Sequence, residues 1–515
     1  MSIACGAFVA TILPPAAPAS RDDFGTEKTI TLVHATLIDG TGAPERPGIT
    51  VVLAKDRIAE IGRDEEIRIP DGAHIVDARG KFLIPGLVDM HVHTSWDPDF
   101  VRPMLLANGV TSTREMFARE KKLISRRRTE LDHGEVAGPR ILAAGQIIDG
   151  EDGPWPGSIA IANADEAQKA VDTVKRDGYD FVKVYSALNR DEFFAIAKQA
   201  ERDKIPFAGH VPGAVTVIEA SNAGQRSFEH LYGMLLSCSA REANLREHPL
   251  SPFLEEQAEA NSFDEAKANS LYAVLKKNDT WQTPTLVVLR NAAMHDDPQV
   301  AASFTDLDRL QYVPYTLRFM WALGLKMTPK MTPEQLEVSR EYFRLESRIV
   351  GEMQKVGIGI LAGTDTPNPY VYPGFALHDE LGLLVSAGLS PMEALQAATR
   401  NPAIFLGMGD SLGTIEKGKV ADLVLLDADP LVDIENTRKI DTVVLAGKMF
   451  ARPALDSILT RVKRNRWQIN PAAIILIELV AHMLRKVFYV TLIVIMGLAT
   501  LVFYIRMRRR RSSIP

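Results

Sequence analysis

The stretch Leu83-Ile84-Pro85-Gly86-Leu87-Val88-Asp89-Met90-His91-Val92-His93 sets a short apolar run behind a Pro-Gly break, the pattern of a buried strand. Side chains alternate across a strand, so Asp89, His91 and His93 share one face while Val88, Met90 and Val92 take the other. Two imidazoles two residues apart on one face can grip a single metal ion. The same spacing also arises in surface or core histidines with no ligand role. The choice rests on whether other strands end in matching ligands.

Outward from this stretch, residues 83–408 alternate short apolar segments with helical patterns, which predicts parallel strands in an α/β fold. Strands are expected at 87–93, 109–115, 140–145, 180–185, 205–210, 226–230, 283–289 and 358–364. Eight such units predict a (β/α)8 TIM-type barrel with its active site at the C-terminal strand ends. Residues 236–350 are longer and more helical than one repeat needs, and are expected to form an insertion over the barrel mouth or at a subunit contact. Short strand patterns at 27–82 and again at 409–455 are each too few to stand alone, so they are expected to pack as one composite β-sandwich.

Composition narrows the classes. The 515 residues carry a net charge of -6 and no long basic face outside the extreme C-terminus, which argues against a nucleic-acid partner. With Cys5 and Cys238 alone there is neither a disulfide framework nor a thiolate metal site, while the 11 histidines are the richer resource. Residues 1–19 contain a short apolar run and Ala17-Pro18-Ala19, which reads as a signal peptide without its charged start. Val487 to Ile505 is an uncharged run of bilayer-spanning length, followed by an arginine-rich tail at 506–515 and preceded by a basic, amphipathic juxtamembrane segment at 456–486. The expectation is a transmembrane helix at 487–505 in contact with the lipid bilayer. By the positive-inside rule the C-terminus would be cytoplasmic and the catalytic domain extracytoplasmic, periplasmic or on the cell surface.

The strand list gathers scattered residues at one end of the barrel. Strand one ends in His91 and His93; strand four, Asp180-Phe181-Val182-Lys183-Val184-Tyr185, turns Lys183 and Tyr185 to one face. Strand five ends at His210, strand six at His230 and strand eight at Ala362-Gly363-Thr364-Asp365. In order, P-G-L-V-D-M-H-V-H, F-V-K-V-Y, A-G-H-V-P, F-E-H and A-G-T-D-T resemble the amidohydrolase superfamily over roughly residues 27–451, within it the imidazolonepropionase-like and prolidase-like (Xaa-Pro dipeptidase-like) branch. The resemblance implies that His91, His93 and Asp365 hold one metal, that His210 and His230 hold a second, and that a CO2-derived carbamate on Lys183 bridges them.

Imidazole and carboxylate ligands suit Zn2+, expected at two per subunit, with other divalent metals as alternatives. Two ions about 3.5–4 Å apart can share a hydroxide and polarise a carbonyl. Asp365 is then placed to move a proton to the leaving amine. Tyr185 either packs or hydrogen-bonds the oxyanion or a substrate carboxylate. The expected activity is hydrolysis of an amide or peptide C–N bond in a small molecule, such as an Xaa-Pro or other dipeptide or an N-acyl amino acid. The alternatives are a mononuclear hydrolase of a cyclic amide and, from another class, an inactive membrane-anchored binding protein. A deaminase is disfavoured because Gly213 stands three residues after His210 where those relatives carry glutamate. A homo-oligomer is also compatible.

Overall fold

In the computed structural model, residues 29–118, 125, 129, 138–153 and 155–467 are described. The chain opens with β1 (Ile30–Leu37), β2 (Arg46–Ala54), β3 (Arg57–Arg63), β4 (His74–Asp77) and β5 (Phe82–Pro85). It continues with β6 (Leu87–Val92), β7 (Val110–Glu115), β8 (Arg140–Ala143), β9 (Ile148–Gly150), β10 (Ile159–Ile161), β11 (Val182–Val184), β12 (Phe207–Gly209), β13 (Ser227–Glu229) and β14 (Trp281–Thr283). It closes with β15 (Leu423–Leu426), β16 (Ile440–Leu445) and β17 (Lys448–Ala451).

The first and last groups form one mixed sheet in the order β17-β16-β15-β5-β1-β2-β3, with β4 alongside β1. Its seam is antiparallel, β5 on β15, with Leu83 opposite Leu425. Leu32, Val51, Leu83, Leu423 and Leu425 are buried in the resulting core, each contributing about 1.5–3 kcal/mol of apolar burial.

The middle group is parallel. β6-β7-β8 form one sheet and β10-β9-β11-β12-β13-β14 another. The bridge Ala144↔Phe181 joins β8 to the start of β11, and Gln282↔Ile360 and Val92↔Thr366 join β14 to β6 through residues 360–366, closing a ring of eight staves to which β9 and β10 are an added pair. Every residue of β6 is buried, as expected of a parallel strand covered on both faces.

Two expected strands differ. The seventh stave is Trp281–Thr283, and Leu286–Ala293 is a helix rather than the rest of a strand. Thr285 turns left-handed at φ 48°, and the Glu380 carboxylate then accepts the Leu286 and Val287 N–H groups at 2.9 and 2.8 Å, which starts the helix. The eighth stave makes isolated bridges instead of a ladder. Residues 236–350 supply helices such as Pro252–Asn261 and Pro333–Val356, with β14 threaded between them.

The membrane expectation is corrected. Among the described residues, no helix is long and apolar enough to cross a membrane. The longest, Pro333–Val356, is amphipathic and carries Glu334, Glu337, Arg340, Arg344 and Arg348; the apolar Tyr315–Met327 has only 13 residues, about 20 Å against a 30 Å hydrocarbon core. The fold as described therefore carries no transmembrane helix, and the single-pass topology, bilayer contact and extracytoplasmic placement built on one lose their support. Residues 1–19 and 487–505, on which the signal and the span were read, lie outside the described residues.

Candidate metal centre

β6 carries His91 and, just past its end, His93 to the top of the barrel, where both are buried. Asp365 reaches them from the eighth stave. His93 Nε2 lies 2.9 Å and His91 Nε2 3.4 Å from Asp365 Oδ1, and one ligand atom from each of the three residues fits within 4.8 Å of the others. Gly363 permits this approach, because a Cβ there would sit 2.6 Å from Thr283 Cγ2 and 3.0 Å from His91 Cβ.

His230 follows β13 and His210 follows β12. The His91 and His230 rings lie 4.5 Å apart and the His210 and His230 rings 5.1 Å apart. His230 Nε2 stands 3.7 Å from Asp365 Oδ2. His210 belongs to the ring cluster but not to the tight triad of His91, His93 and Asp365. Lys183, on β11, is buried beside them. His230, Thr285 and Asp365 all adopt left-handed backbone, at φ 61°, 48° and 62°, a conformation that for non-glycine residues costs about 1–3 kcal/mol and concentrates at functional sites.

Each of three imidazoles spends its Nδ1 on an outer partner. His91 Nδ1 donates to Glu229 Oε2 at 2.8 Å, His210 Nδ1 pairs with Ser186 Oγ at 2.7 Å, and His230 Nδ1 pairs with Thr285 Oγ1 at 2.7 Å. This leaves the Nε2 atoms as the inward donors, the arrangement by which metal-binding histidines are oriented. Glu229 is itself held by Arg114, which donates to both its oxygens at 2.8 and 2.9 Å, and by Ser227 Oγ at 2.6 Å. His93 Nδ1 is buried without a hydrogen-bond partner, 3.8 Å from Glu115 Oε1.

Charge at the site follows from this packing. Burial, then the Lys183 and His93 charges, push His91 well below the ordinary imidazole range. Burial also takes His210 well down and His230 down to about 3. Burial works against a charged His93 too, but the Asp365 hydrogen bond and the nearby Asp365 and Glu115 carboxylates outweigh it and lift the group to about 9. Burial lowers Lys183 to about 8. Asp365 is held below its usual value, because His230, His93 and Lys183 overcome the opposing effect of its burial. Neutral imidazoles at His91, His210 and His230, a carboxylate kept ionised and softened ammonium character are the donor chemistry of a divalent-cation site, where a bound cation would take the place of the His93 proton. The residues fit a metal.

Tyr185 stacks on His210 with ring centroids 3.9 Å apart, and its Oη accepts the Trp155 indole N–H at 2.6 Å. Burial raises the Tyr185 phenol above its ordinary value, so it keeps its proton.

Every residue singled out in the sequence, His91, His93, Lys183, Tyr185, His210, His230 and Asp365, lies in this one region. Sequence reading passed over the outer partners. Glu229 stood in the Phe228-Glu229-His230 motif as an acid inside an apolar strand, and Arg114-Glu115 ended the second strand in the same way. Those were usable signals; nothing local marks Ser186 or Thr285.

An eight-staved barrel with clustered histidines, a lysine and an aspartate at its C-terminal rim has the arrangement of a barrel hydrolase with a candidate metal centre. Residues 82–450 match the model of the amidohydrolase family, and the chain belongs to that family. Its members are generally metal-dependent, and the chain is a hydrolase acting on C–N bonds of the amide type. The ochratoxinase of Aspergillus niger is 22% identical over 502 residues, covering 83% of this chain and 88% of that protein. The imidazolonepropionase of Symbiobacterium thermophilum is 24% identical over 390 residues, covering 74% and 84%. A solved Xaa-Pro dipeptidase with methionine bound in its active site shares the fold, with a TM-score of 0.58 at 20% identity over 82% of this chain and all of that one.

Proposed function

We propose that the protein hydrolyses the amide bond of small N-acyl amino acids or dipeptides at a divalent-metal centre. The observation that carries this reading is the convergence of the His91, His93 and Asp365 ligand atoms within 4.8 Å, backed by outer partners on the imidazoles. His91, His93 and Asp365 would hold one Zn2+, His210 and His230 a second, with Lys183 as its carbamate between them. When bound, the ions supply Lewis acidity toward the amide carbonyl and lower the pKa of water.

The chain's own residues have the following work. Burial draws Lys183 toward neutrality, and a neutral amine is the form that adds CO2. The Asp365 carboxylate, kept ionised, takes a proton from the attacking water and passes it to the departing amine nitrogen. Tyr185, whose oxygen lone pair is engaged by Trp155, directs its O–H to the carbonyl oxygen or a substrate carboxylate. The name of the solved Xaa-Pro dipeptidase that shares the fold agrees with peptide substrates.

A single-metal hydrolase of cyclic amides is the second reading, favoured by the fact that the tight triad forms without His210 and His230. Metal analysis of purified protein, with a screen of dipeptides, N-acyl amino acids and cyclic amides, separates the two. Two ions per chain and turnover of linear amides are expected. One ion with turnover of cyclic amides alone would favour the second reading, and a protein that takes up no divalent metal would overturn both.

A further inference from the structure

The outer partners of the imidazoles are not held alike. Glu229 is clamped by Arg114 and Ser227, and Thr285 is β-branched and therefore stiff at its first side-chain torsion. Ser186 has neither support. It stands on the exposed loop that follows β11, and among the described residues its Oγ bonds only His210 Nδ1, at 2.7 Å. A serine hydroxyl can donate or accept and turns about one torsion, so its main chain decides where it sits. That main chain is tied to β9. Asp149 is 1% exposed, and its Oδ1 accepts the Ala187 N–H at 2.8 Å and the Gly150 N–H at 3.0 Å. Neither bond is to a cation, so a buried carboxylate serves here to fix backbone. The fit is close: a Cβ on Gly150 would sit 2.3 Å from Ala187 O, and one on Gly153 2.4 Å from Asp149 Oδ2. The ladder between β9 and β11 pairs Val184 with Ile148 and stops short of Ser186.

We propose that Asp149 is a positioning residue of the metal centre: it holds Ala187 so that Ser186 Oγ meets His210 Nδ1 and His210 turns its Nε2 inward. The hydrogen bonds of Asp149 reach none of the candidate ligands, and it acts through Ser186. With Ser186 accepting, the His210 proton sits on Nδ1 and the Nε2 lone pair faces the centre. With Ser186 displaced, either ring nitrogen can carry that proton. The same loop begins at Tyr185, stacked on His210 at 3.9 Å, so the tether sets that ring as well. The inference rests on the metal-centre reading and adds to it the residue that fixes His210 from β9.

The test uses the full-length protein, first metal-free and then titrated with Zn2+ against a competing chelator. Wild type is compared with Asp149→Ala, Asp149→Asn, Ser186→Ala, and Ser186→Ala combined with Asp149→Ala. In the metal-free protein, imidazole proton–nitrogen NMR spectra, assigned with His210→Gln, report which nitrogen of His210 carries the proton. Asp149→Ala should shift the His210 ring signals and leave those of His91 and His230. Asp149→Asn keeps an oxygen that accepts the Ala187 N–H, so it should match wild type. In the Zn2+ titration Asp149→Ala should weaken uptake of one ion about ten-fold, as loss of an outer partner does. It should add nothing once Ser186 is replaced. Unmoved His210 signals in Asp149→Ala overturn the proposal. Losses that add in the double variant also overturn it, since Asp149 would then act independently of Ser186. If Asp149→Ala fails to fold, Asp149→Ser, whose hydroxyl is one atom short of the Ala187 N–H, is read against the same outcomes. Shifted His210 signals in Asp149→Ala with a single Zn2+ in wild type would count against the two-metal reading and support the positioning role.

Discussion

Lys183 tests the two-metal reading. A buried ammonium among imidazoles repels a cation, whereas a carbamate contributes two oxygens to it. Lys183→Ala is therefore expected to lower turnover by about two orders of magnitude and to reduce bound metal, with partial rescue by added formate or acetate. Full activity with two ions in this variant would remove the bridging role. Glu229 acts one step further out. Glu229→Gln preserves the shape but weakens the hold on His91 Nδ1, so metal affinity should fall about 10–100-fold in a competition titration. Arg114 is 1% exposed and donates to Glu229. Arg114→Met should cost about 3–5 kcal/mol by leaving that carboxylate buried without its partner. Adding Glu229→Gln to Arg114→Met should recover part of the loss in a denaturant melt, because the stranded charge is gone.

At the scale of elements, the helices Pro252–Asn261 and Pro333–Val356 pack against each other and enclose acidic side chains. Glu346 is pushed up to about 8 by burial and then by Glu256 and Glu259. Burial chiefly raises Glu259 to about 7, even though the Tyr342 hydroxyl donates to it at 2.8 Å. A carboxyl whose folded pKa lies above its unfolded value binds more protons when folded. Its contribution is therefore fully present below about pH 4.5 and is lost as pH rises toward 8. Within that window each such group removes about 1.4 kcal/mol per pH unit. Glu346→Gln should accordingly raise the melting temperature at pH 8, change it little at pH 5, and flatten the decline between. A uniform shift at both pH values would mean that packing rather than ionisation dominates.

Such pairings between helices are hard to read from sequence, because nothing local in Glu256 or Glu346 signals that they face one another across the insertion. Strand ends were different. His93, His210 and His230 are legible because a short apolar run stops at each of them, and His91 and Lys183 because each is a polar residue set within such a run near its C-terminal end. The seventh stave starts two residues and ends six residues before the expected 283–289 for a tertiary reason: Glu380, nearly a hundred residues further along the chain, caps a helix where the apolar pattern reads as strand.

At the scale of the whole molecule, the sheet and the barrel are one mechanical unit, because β5 runs into β6 across the single residue Gly86. The Gly86 N–H donates to Asp422 O at 2.8 Å, so this junction is tied to the start of the C-terminal strands. Asp422 in turn accepts from Arg140 Nη1 of β8 at 2.8 Å, joining the same corner to the barrel. The strand that presents His91 is thus registered by residues from both ends of the chain. A Cβ on Gly86 would meet Thr111 Oγ1 at 2.3 Å, Cγ2 at 2.6 Å and Cβ at 3.0 Å. Thr111 is buried on β7 and cannot swing into solvent. Gly86→Ala should therefore cost about 1–3 kcal/mol of stability and weaken metal binding, although the substitution lies five residues before His91. Thr111→Ala removes the two nearest clashing atoms, so Gly86→Ala with Thr111→Ala should recover most of both losses, a coupling well outside the additivity expected of independent sites. If stability returned in the double variant while metal affinity did not, β6 would be registered by something other than its junction with the sheet.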